Sequence, residues 1–338
     1  MCCSSFFFKF WCLVCTLLQF LTSSAWHELV NALVVNYRIK TKKKCHKKQE
    51  SDAYNPILQK LNTKHYCEKK QALPRESRAK QQENIPHNDL FFDGFKHQLK
   101  LANEHNGWFS PKNIQFALKA WANTLKREQL ETWLKPYTME IVSPKQIAII
   151  MAGNIPLVGF HDFLSVLISG HKALVKQSSN DKHLLPFLAK YLEYSDEWFK
   201  GKIQFTEEKL EGYDAVIATG SNNTARYFEY YFKDKTSIIR KNRNSVAILT
   251  GNETDEQLSS LSDDIFRYYG LGCRNVSKLY IPEDYNFDAF FNAVFKWKDI
   301  INESKYANNY DYNKAVYIMS EFDMLENGFL MIKENENF

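Results

Sequence analysis

The sequence predicts an α/β fold, in which a doubly wound parallel sheet follows a helical arm and precedes a partial second α/β domain. From residue 147 onward, short continuous apolar runs alternate with segments of helical periodicity. This alternation is typical of βαβ units that build a buried parallel sheet. Several of the apolar runs end in Gly, Asn, Ser or Lys, which places polar groups at the carboxyl ends of strands, where such sheets bind ligands.

The first 85 residues differ in composition from the rest of the chain. An apolar stretch at residues 6–21 is interrupted by Lys9 and Gln19. It is short for a membrane span, which needs about 20 apolar residues, and no basic residue precedes it as in a signal peptide. Residues 38–85 are rich in lysine and glutamine and have no apolar face, which is typical of disorder. We interpret residues 1–85 as an extension outside any domain; a secreted or membrane-tethered protein is the alternative if residues 6–21 are retained.

The net charge and the positions of the cysteines indicate which partners, metals and cellular compartment to expect. The net charge is +5, and much of the excess lies in residues 38–49, so a nucleic-acid partner is not expected. Six of the seven cysteines lie in the first 67 residues, which leaves Cys273 as the single thiol that follows. No internal disulfide or zinc cluster can form there, so we expect no metal and a reducing compartment, the cytoplasm.

The helical arm comes before the first strand. Ser110 is a plausible N-cap, with Pro111 at the first helical position. One face of this helix is apolar, with Ile114, Ala117, Leu118 and Trp121. A second short helical pattern ends the arm at Pro136.

Strands and helices then follow in order. The predicted strands are residues 147–151, 172–176, 213–221, 244–251 and 276–282. Helical patterns separate them at 160–169, 181–194, 223–232 and 254–270, the last with Thr254 as N-cap. The predicted organisation is an extension at 1–85, the arm and a dinucleotide-binding domain at 86–240, and a catalytic domain at 241–338.

Two positions suggest acyl or carbonyl chemistry. Cys273 lies between a helix end and a strand start, and Gly270 and Gly272 would let a ligand approach the backbone. Its spacing alone favours a buried structural cysteine instead. Asn154 follows the first strand in "GNIP", where its amide could stabilise an oxyanion. Asn, Gly and Pro also form ordinary turns, so this signal is weak alone.

Other strand ends suggest a nucleotide. Gly220 and Ser221 end the third strand, where backbone N–H groups could face a phosphate; a plain N-cap is at least as common. Lys176 ends the second strand and could bond a ribose hydroxyl, or it could simply be solvated. The basic run at residues 240–244 could hold a cofactor phosphate, although such runs are more often solvated loops.

These motifs together resemble the acyl-CoA reductases related to the LuxC component of bacterial luminescence, a branch of the aldehyde dehydrogenase superfamily. The stretches that carry the resemblance are "GNIPLVGFHDFLSVLISGHKALVK", "DAVIATGSNNTARYFEYYF", "IIRKNRNSVAIL", "YYGLGCRNVSKLY" and "KYANNYDYNKA". The likeness covers residues 88 to the end and implies an aldehyde-dehydrogenase-like fold.

The resemblance also implies roles for single residues. Cys273 matches the catalytic thiol, and Asn154 matches the oxyanion-binding asparagine. Lys176 matches the lysine that holds the adenosine ribose, while Gly220 and Ser221 match the pyrophosphate turn. On this resemblance the functional interpretation of Cys273 replaces the structural one.

Two departures from the superfamily pattern refine the expected activity. The glutamate that activates water in oxidising relatives falls near Arg240, where no carboxylate stands, so the acyl-enzyme should await hydride rather than be hydrolysed. NAD-preferring relatives carry a glutamate where this chain has Ser179. A hydroxyl would not repel a 2′-phosphate as a carboxylate would, so the cofactor is expected to be NADPH.

The implied function is reduction of a fatty acyl-CoA, with a long chain as one option, to the aldehyde. Implied partners are the acyl-CoA substrate and further copies of the chain, with an acyl-protein ligase subunit left open. Relatives run further at the carboxyl end, so we expect this chain to be truncated there. The alternatives are an aldehyde dehydrogenase that oxidises aldehydes and a truncated, non-catalytic remnant that binds a nucleotide or a partner.

Overall fold

A computed structural model of the 338-residue chain describes residues 88–137, 143–321 and 323–334. The predicted extension, including the apolar stretch at residues 6–21, lies outside the described residues. The α/β class predicted from the sequence is confirmed.

Nine α-helices occur in the described part of the chain. They are α1 (Asn88–His105), α2 (Pro111–Thr124), α3 (Arg127–Leu134), α4 (Phe160–Ile168), α5 (Leu184–Ser195), α6 (Asn222–Tyr231), α7 (Asp255–Phe266), α8 (Phe287–Val294) and α9 (Ser304–Met319). The first three form the arm. Short 3₁₀ segments lie at Glu197–Phe199, Arg267–Gly270 and Phe295–Asn302.

Five parallel strands form the main sheet. They are β1 (Gln146–Ile150), β2 (Lys172–Lys176), β3 (Ile203–Phe205), β4 (Ala215–Thr219) and β5 (Thr236–Arg240). Their spatial order is β3-β2-β1-β4-β5, so the direction of winding reverses between β1 and β4. All four pairings are parallel, which confirms the doubly wound arrangement. The ligand crevice of such a sheet lies outside the carboxyl ends at this reversal.

The arm packs into the same core as the sheet. The middle of β1 is fully buried at Ala148 and Ile149, as expected for a strand covered on both faces. Phe95 of α1 and Ile114 of α2 belong to the core cluster that contains Ile149. The arm is therefore an integral part of the first half of the molecule.

The second half has a smaller sheet and its own core. Strands β6 (Ser245–Ile248) and β7 (Val276–Tyr280) pair in parallel, with a register irregularity after Ser245. The apolar cluster beside them includes Leu258, Phe266 and Phe290 from α7 and α8. An antiparallel hairpin, β8 (Met324–Glu326) and β9 (Met331–Lys333), follows. The first sheet ends at Arg240 and the second begins at Ser245, while the domain boundary itself stays a prediction.

Several local predictions are confirmed and others need correction. Ser110 caps α2 by accepting from the Asn113 N–H, and Thr254 caps α7 in a capping box with Gln257. The sequence patterns do not predict strand β3, which has only three residues, or strand β5. The loop predicted for the basic run is found at residues 241–244, whereas Arg240 is the last residue of β5 and is paired with Thr219 of β4.

Candidate active site at the carboxyl edge of the main sheet

Four of the predicted site residues lie at one edge of the main sheet. Lys176 ends β2, while Gly220 and Ser221 directly follow β4. Asn154 lies four residues beyond the end of β1, in the turn formed by residues 153–157, here called the Asn154 turn. Because parallel strands end at the same edge, β1, β2 and β4 bring these motifs to one crevice.

Cys273 lies in a tight turn of four residues, 272–275, here called the Cys273 turn. The Asn275 N–H donates to the Gly272 carbonyl at 3.0 Å, which closes the turn. The Gly272 N–H donates to the side-chain Oδ1 of Asn275 at 2.7 Å. The Cys273 side chain is half-buried rather than part of either core cluster. The Cys273 side chain is therefore partly accessible to a ligand, and two hydrogen bonds hold the turn that carries it.

The Asn154 turn and the Cys273 turn meet directly. The Asn154 Nδ2 donates to the carbonyl oxygen of Leu271, one residue before the Cys273 turn, at 2.6 Å. An added Cβ on Gly272 would lie 3.9 Å from the Ile155 side chain. An amide nitrogen carries two N–H groups, so the bond to Leu271 orients the amide and uses one of its two donors. The structure thus bonds the predicted oxyanion donor to the main chain two residues before the predicted thiol.

A buried carboxyl holds the Asn154 turn. Leu157 has φ = 57°, a left-handed conformation that is uncommon for a side chain of its size. Its N–H donates to Oδ2 of Asp181, at 2.8 Å. Burial raises the pKa of Asp181 to about 6, and the hydrogen bond from Leu157 opposes that rise. Asp181 therefore compensates for local strain in the turn that carries Asn154.

The loop after β2 packs against the Asn154 turn. Gly153 lies so close to it that an added Cβ would come within 2.5 Å of the Ser178 Oγ. Ser179 is exposed, and its carbonyl accepts from the His105 Nε2 at 2.7 Å. The Lys176 ammonium donates to the Glu208 carbonyl at 3.0 Å. The loop after β2 thus leaves the Ser179 side chain accessible, while the segment after β3 bonds the Lys176 ammonium.

The turn after β4 begins helix α6. Ser221 caps the helix by accepting from the Thr224 N–H, so the N-cap that the sequence predicted as the alternative to a phosphate-binding turn is present. A Cβ at Gly220 would lie 3.0 Å from both Thr224 and Phe228, so the glycine permits close packing of helix on strand. The same segment presents the N-terminus of α6 at the sheet edge, and a helix N-terminus attracts anions.

Arg240 and Asp162 form a buried ion pair near this edge. The Arg240 side chain is 14% exposed and that of Asp162 is 10% exposed. Burial raises the pKa of Asp162, but a hydrogen bond from His161 and the positive charge of Arg240 outweigh it and hold the pKa below its ordinary value. Asp162 is therefore a poor proton acceptor, and Arg240 is not the solvated side chain that a wet loop would give.

The arm contacts the segment that leads to Cys273. Tyr268 and Tyr269 have φ values of 55° and 60°, two consecutive left-handed residues. The Tyr268 ring meets Phe116 edge-on at 5.8 Å between centroids, and the Tyr269 ring lies 5.3 Å from Trp108. Such backbone strain persists only where surrounding contacts hold it. Arm residues thus help to shape the approach to the thiol.

Sequence reasoning missed three of these features: the carboxyl of Asp181, the amide of Asn275 and the Asp162–Arg240 pair. Asn275 stands in the quoted stretch "GLGCRNVSKLY", and an amide directly before a strand was the available signal. No comparable signal marks the ion pair, because its two residues are 78 positions apart.

Within the described residues, no three His, Cys, Asp or Glu side chains are grouped to hold a metal, and no helix is long and apolar enough to cross a membrane.

The family model of acyl-CoA reductases (LuxC) matches residues 76–296, which is more than half of the chain. No curated protein sequence matches the chain.

Solved structures resemble the chain at low sequence identity. An NADP-dependent enzyme from E. coli superimposes with a TM-score of 0.52 at 16% identity, covering 73% of this chain and 59% of that one. A putative aldehyde dehydrogenase from Burkholderia cenocepacia gives 0.50 at 15% identity, covering 60% of this chain and 48% of that one. An aldehyde dehydrogenase from Bartonella henselae gives 0.50 at 12% identity, with 64% and 49% covered. These likenesses show an aldehyde-dehydrogenase-like fold, and the chain spans about half the length of such structures.

Proposed function

The chain belongs to the acyl-CoA reductase (LuxC) family, and on that basis we propose that it reduces an acyl-CoA to the free aldehyde with NADPH, through an acyl-enzyme on Cys273. One observation carries the proposal. The amide of Asn154 is hydrogen-bonded to Leu271, at the entry to the Cys273 turn, which supports an oxyanion donor and a thiol acting in one site.

The first half of the reaction is acyl transfer. The Cys273 thiolate attacks the thioester carbonyl of the acyl-CoA, and a new C–S bond forms. The negative charge that develops on the carbonyl oxygen is stabilised by the second N–H of Asn154 and by the Cys273 backbone N–H. The C–S bond to CoA then breaks, CoA leaves as a thiolate that takes up a proton, and the acyl group remains on Cys273.

The second half requires a reduced nicotinamide, which supplies a hydride to the acyl carbon when it is bound. Asn154 then stabilises the same oxygen again, and the thiohemiacetal on Cys273 collapses to the aldehyde and the Cys273 thiolate. The net change consumes acyl-CoA, NADPH and one proton, and yields aldehyde, CoA and NADP⁺.

The residues at the sheet edge fit a dinucleotide. Lys176 would bond the adenosine ribose, because its ammonium is already held at the carboxyl end of β2. The N-terminus of α6, with Gly220 and Ser221, would face the pyrophosphate, since first-turn N–H groups of a helix lack helical acceptors. The exposed Ser179 would lie near a 2′-phosphate without repelling it, which favours NADPH over NADH.

The same geometry favours reduction over hydrolysis. Arg240 stands where the oxidising relatives are expected to place their glutamate base. The carboxylate that meets Arg240 is Asp162, whose lowered pKa and ion pair make it a poor base for water. An acyl-enzyme in this site therefore lacks a group that would hydrolyse it quickly.

The test is incubation of the full chain with NADPH and acyl-CoAs of increasing chain length, with aldehyde measured as product. A parallel sample with radiolabelled acyl-CoA and no NADPH should retain one label on the Cys273 peptide. Cys273→Ser should lower aldehyde formation by at least about 1,000-fold, because it removes the nucleophile.

Three results would contradict this proposal or a part of it. Faster turnover of aldehyde plus NADP⁺ than of acyl-CoA plus NADPH would indicate the oxidising dehydrogenase. Absence of any label on Cys273, with NADPH still bound, would indicate the non-catalytic remnant. Equal turnover with NADH would contradict the cofactor preference assigned to Ser179.

A further inference from the structure

We propose that Asn275 is a positioning residue: its side-chain amide fixes the direction of the Cys273 thiol by fastening the Cys273 turn to the end of helix α7. The proposal rests on Cys273 being the reacting thiol, as proposed above, and it assigns a role to a residue that does not itself touch substrate.

Asn275 closes the Cys273 turn from both ends. Its backbone N–H donates to the Gly272 carbonyl at 3.0 Å, and its side-chain Oδ1 accepts from the Gly272 N–H at 2.7 Å. A Cβ added at Gly272 would lie 2.6 Å from this Oδ1, so the amide lies directly over the glycine. Cys273 is the residue between these two fixed points, and its main chain has little freedom to reorient.

The nitrogen of the same amide holds the turn to a helix. Nδ2 donates to the carbonyl of Asp264 at 2.7 Å and to that of Arg267 at 2.9 Å. Asp264 lies in the last turn of α7, and Arg267 is the residue directly after this helix. One side chain therefore satisfies helix-terminal acceptors and connects them to the residue before the thiol.

An asparagine is the residue type that can do this in a buried place. Asn275 is 7% exposed, so an unpaired polar atom there would be costly. To bond both the Gly272 N–H and the carbonyls near the end of α7, a side chain needs one acceptor and one donor on a short planar group. The neutral amide provides both. An ionised aspartate keeps the acceptor, but it places a negative charge against the carbonyls of Asp264 and Arg267. A protonated aspartate restores both an acceptor and a donor.

The Cys273 turn is thus held on both flanks. Leu271 on one side is bonded by Asn154, and Asn275 on the other side is bonded to α7. The distance between the Cys273 sulfur and the Asn154 amide depends on both contacts. A misplacement of about 1 Å in such a site can cost about 100-fold in rate.

The experiment compares the full-length wild type with Asn275→Ala, Asn275→Asp and the control Asn113→Ala. Asn113 is also a buried asparagine, 6% exposed, but it lies in the arm helix α2. The readouts are the rate of Cys273 alkylation by iodoacetamide, followed by peptide mass mapping, kcat and KM for acyl-CoA reduction, and the melting temperature. Alkylation needs neither substrate nor cofactor, so it tests the position of the thiol even if the proposed reaction is wrong.

We expect Asn275→Ala to lower kcat by at least about 10-fold with KM nearly unchanged, and to change the alkylation rate by at least about three-fold. Asn275→Asp should behave like Asn275→Ala near pH 8 and return towards the wild-type alkylation rate near pH 5.5, as its buried carboxyl becomes protonated. Asp264 and Arg267, whose carbonyls accept from this amide, and the alkylated Cys273 all carry ionisable side chains. They are the same in both proteins, so the variant-to-wild-type ratio at each pH removes their contribution.

The control separates positioning from stability. Asn113→Ala should lower the melting temperature and leave Cys273 alkylation at the wild-type rate. The proposal is overturned if folded Asn275→Ala and Asn275→Asp alkylate at the wild-type rate and keep wild-type kcat, or if Asn113→Ala changes alkylation equally. If Asn275→Ala does not fold, Asn275→Asp decides alone: an alkylation ratio that stays constant with pH contradicts the proposal.

Discussion

The carboxyl edge of the main sheet and the Cys273 turn are built by different means. At the sheet edge, strands such as β1 and β2 are buried through continuous apolar residues, and the turns that follow are placed by strand pairing. The Cys273 turn precedes β7, in a two-stranded sheet, and side-chain amides from Asn154 and Asn275 hold it. The predicted cofactor half of the site is thus fixed by packing, and the predicted thiol half by a few directed hydrogen bonds.

This difference indicates where each half is vulnerable. A packed sheet tolerates changes at its exposed turns but loses stability when a buried group is left unpaired. A turn held by hydrogen bonds loses geometry when one donor is removed, even where the fold survives. The variants below should therefore separate into changes of stability and changes of rate.

The largest effect is expected at the Asp162–Arg240 pair. Asp162→Asn removes the negative charge beside the Arg240 side chain, which is 14% exposed, and should cost about 3–5 kcal/mol in the free energy of unfolding near neutral pH. Urea denaturation measures it. The matched control is Glu229→Gln, which breaks the exposed pair with Lys241 and should cost less than about 1 kcal/mol.

The pH dependence gives a second check on that pair. The pKa of Asp162 is lowered in the fold, so its contribution is complete above the ordinary value of 3.8 and is lost as the pH falls through the lower folded value. The difference between wild type and Asp162→Asn should be constant near neutrality and shrink only in strong acid. Equal losses for Asp162→Asn and Glu229→Gln would show that the pair contributes no more than a surface contact.

Asn154→Ala should affect rate rather than stability. Loss of one oxyanion donor lowers kcat by about 100- to 1,000-fold, while the lost bond to Leu271 should cost about 1 kcal/mol of stability. Steady-state kinetics with acyl-CoA and NADPH measure the first effect, and thermal unfolding the second. Asn252→Ala, in the exposed loop before α7, is the control and should leave both unchanged. A kcat within a few-fold of wild type would remove Asn154 from the chemistry.

Asp181→Asn should stabilise the protein at neutral pH. The folded pKa of Asp181 is about 6, against 3.8 ordinarily, so the folded chain binds a proton that the unfolded chain releases in this window. Wild-type stability therefore falls as the pH rises from about 4 to 6, by up to about 3 kcal/mol. Asparagine keeps the acceptor for Leu157 and carries no charge, so the variant should lack this slope.

Urea denaturation near pH 5 and pH 8 measures the effect of Asp181→Asn. Asp214 also accepts a backbone N–H, that of Gln146, but it is exposed, so Asp214→Asn is the matched control with little expected change. A wild-type slope that survives in Asp181→Asn would show that another group titrates there.

The smallest effect is expected at the N-terminus of α7. Thr254→Ala removes the capping hydroxyl that bonds the Gln257 N–H and should cost about 1 kcal/mol in stability. The cap lies at the opposite end of α7 from Asn275, so kcat should not change. Thr254→Ser retains the hydroxyl and serves as control. A change in kcat would mean that the two ends of α7 are coupled.

The sequence predicted those elements whose signal is local. Strands β1, β2 and β4 are continuous apolar runs, and Ser110 and Thr254 are capping residues in standard positions. Strand β3 has only three residues, and β5 ends in a basic run that is typical of loops, so neither produced a recognisable period.

The details of the site depended on contacts between distant residues. A left-handed Tyr268 has no sequence signature, because contacts with residues distant in the sequence, such as Phe116 in the arm, offset its strain. Asn154 is bonded to Leu271, the residue directly before the Cys273 turn, and these two residues are 117 positions apart in the sequence. Only the resemblance to a family placed them together beforehand, and the roles of Cys273, Asn154, Lys176, Ser179, Gly220 and Ser221 stay predictions.

The two left-handed tyrosines have a consequence for how the protein matures. Left-handed conformations cost about 1–2 kcal/mol per residue, and Trp108 and Phe116 from the arm offset this cost at Tyr269 and Tyr268. During synthesis the arm leaves the ribosome about 150 residues before these tyrosines, so its aromatic surface is in place when they emerge. The native shape of the segment before Cys273 should therefore form only after the arm is in place, so the predicted catalytic thiol reaches its native surroundings late in synthesis.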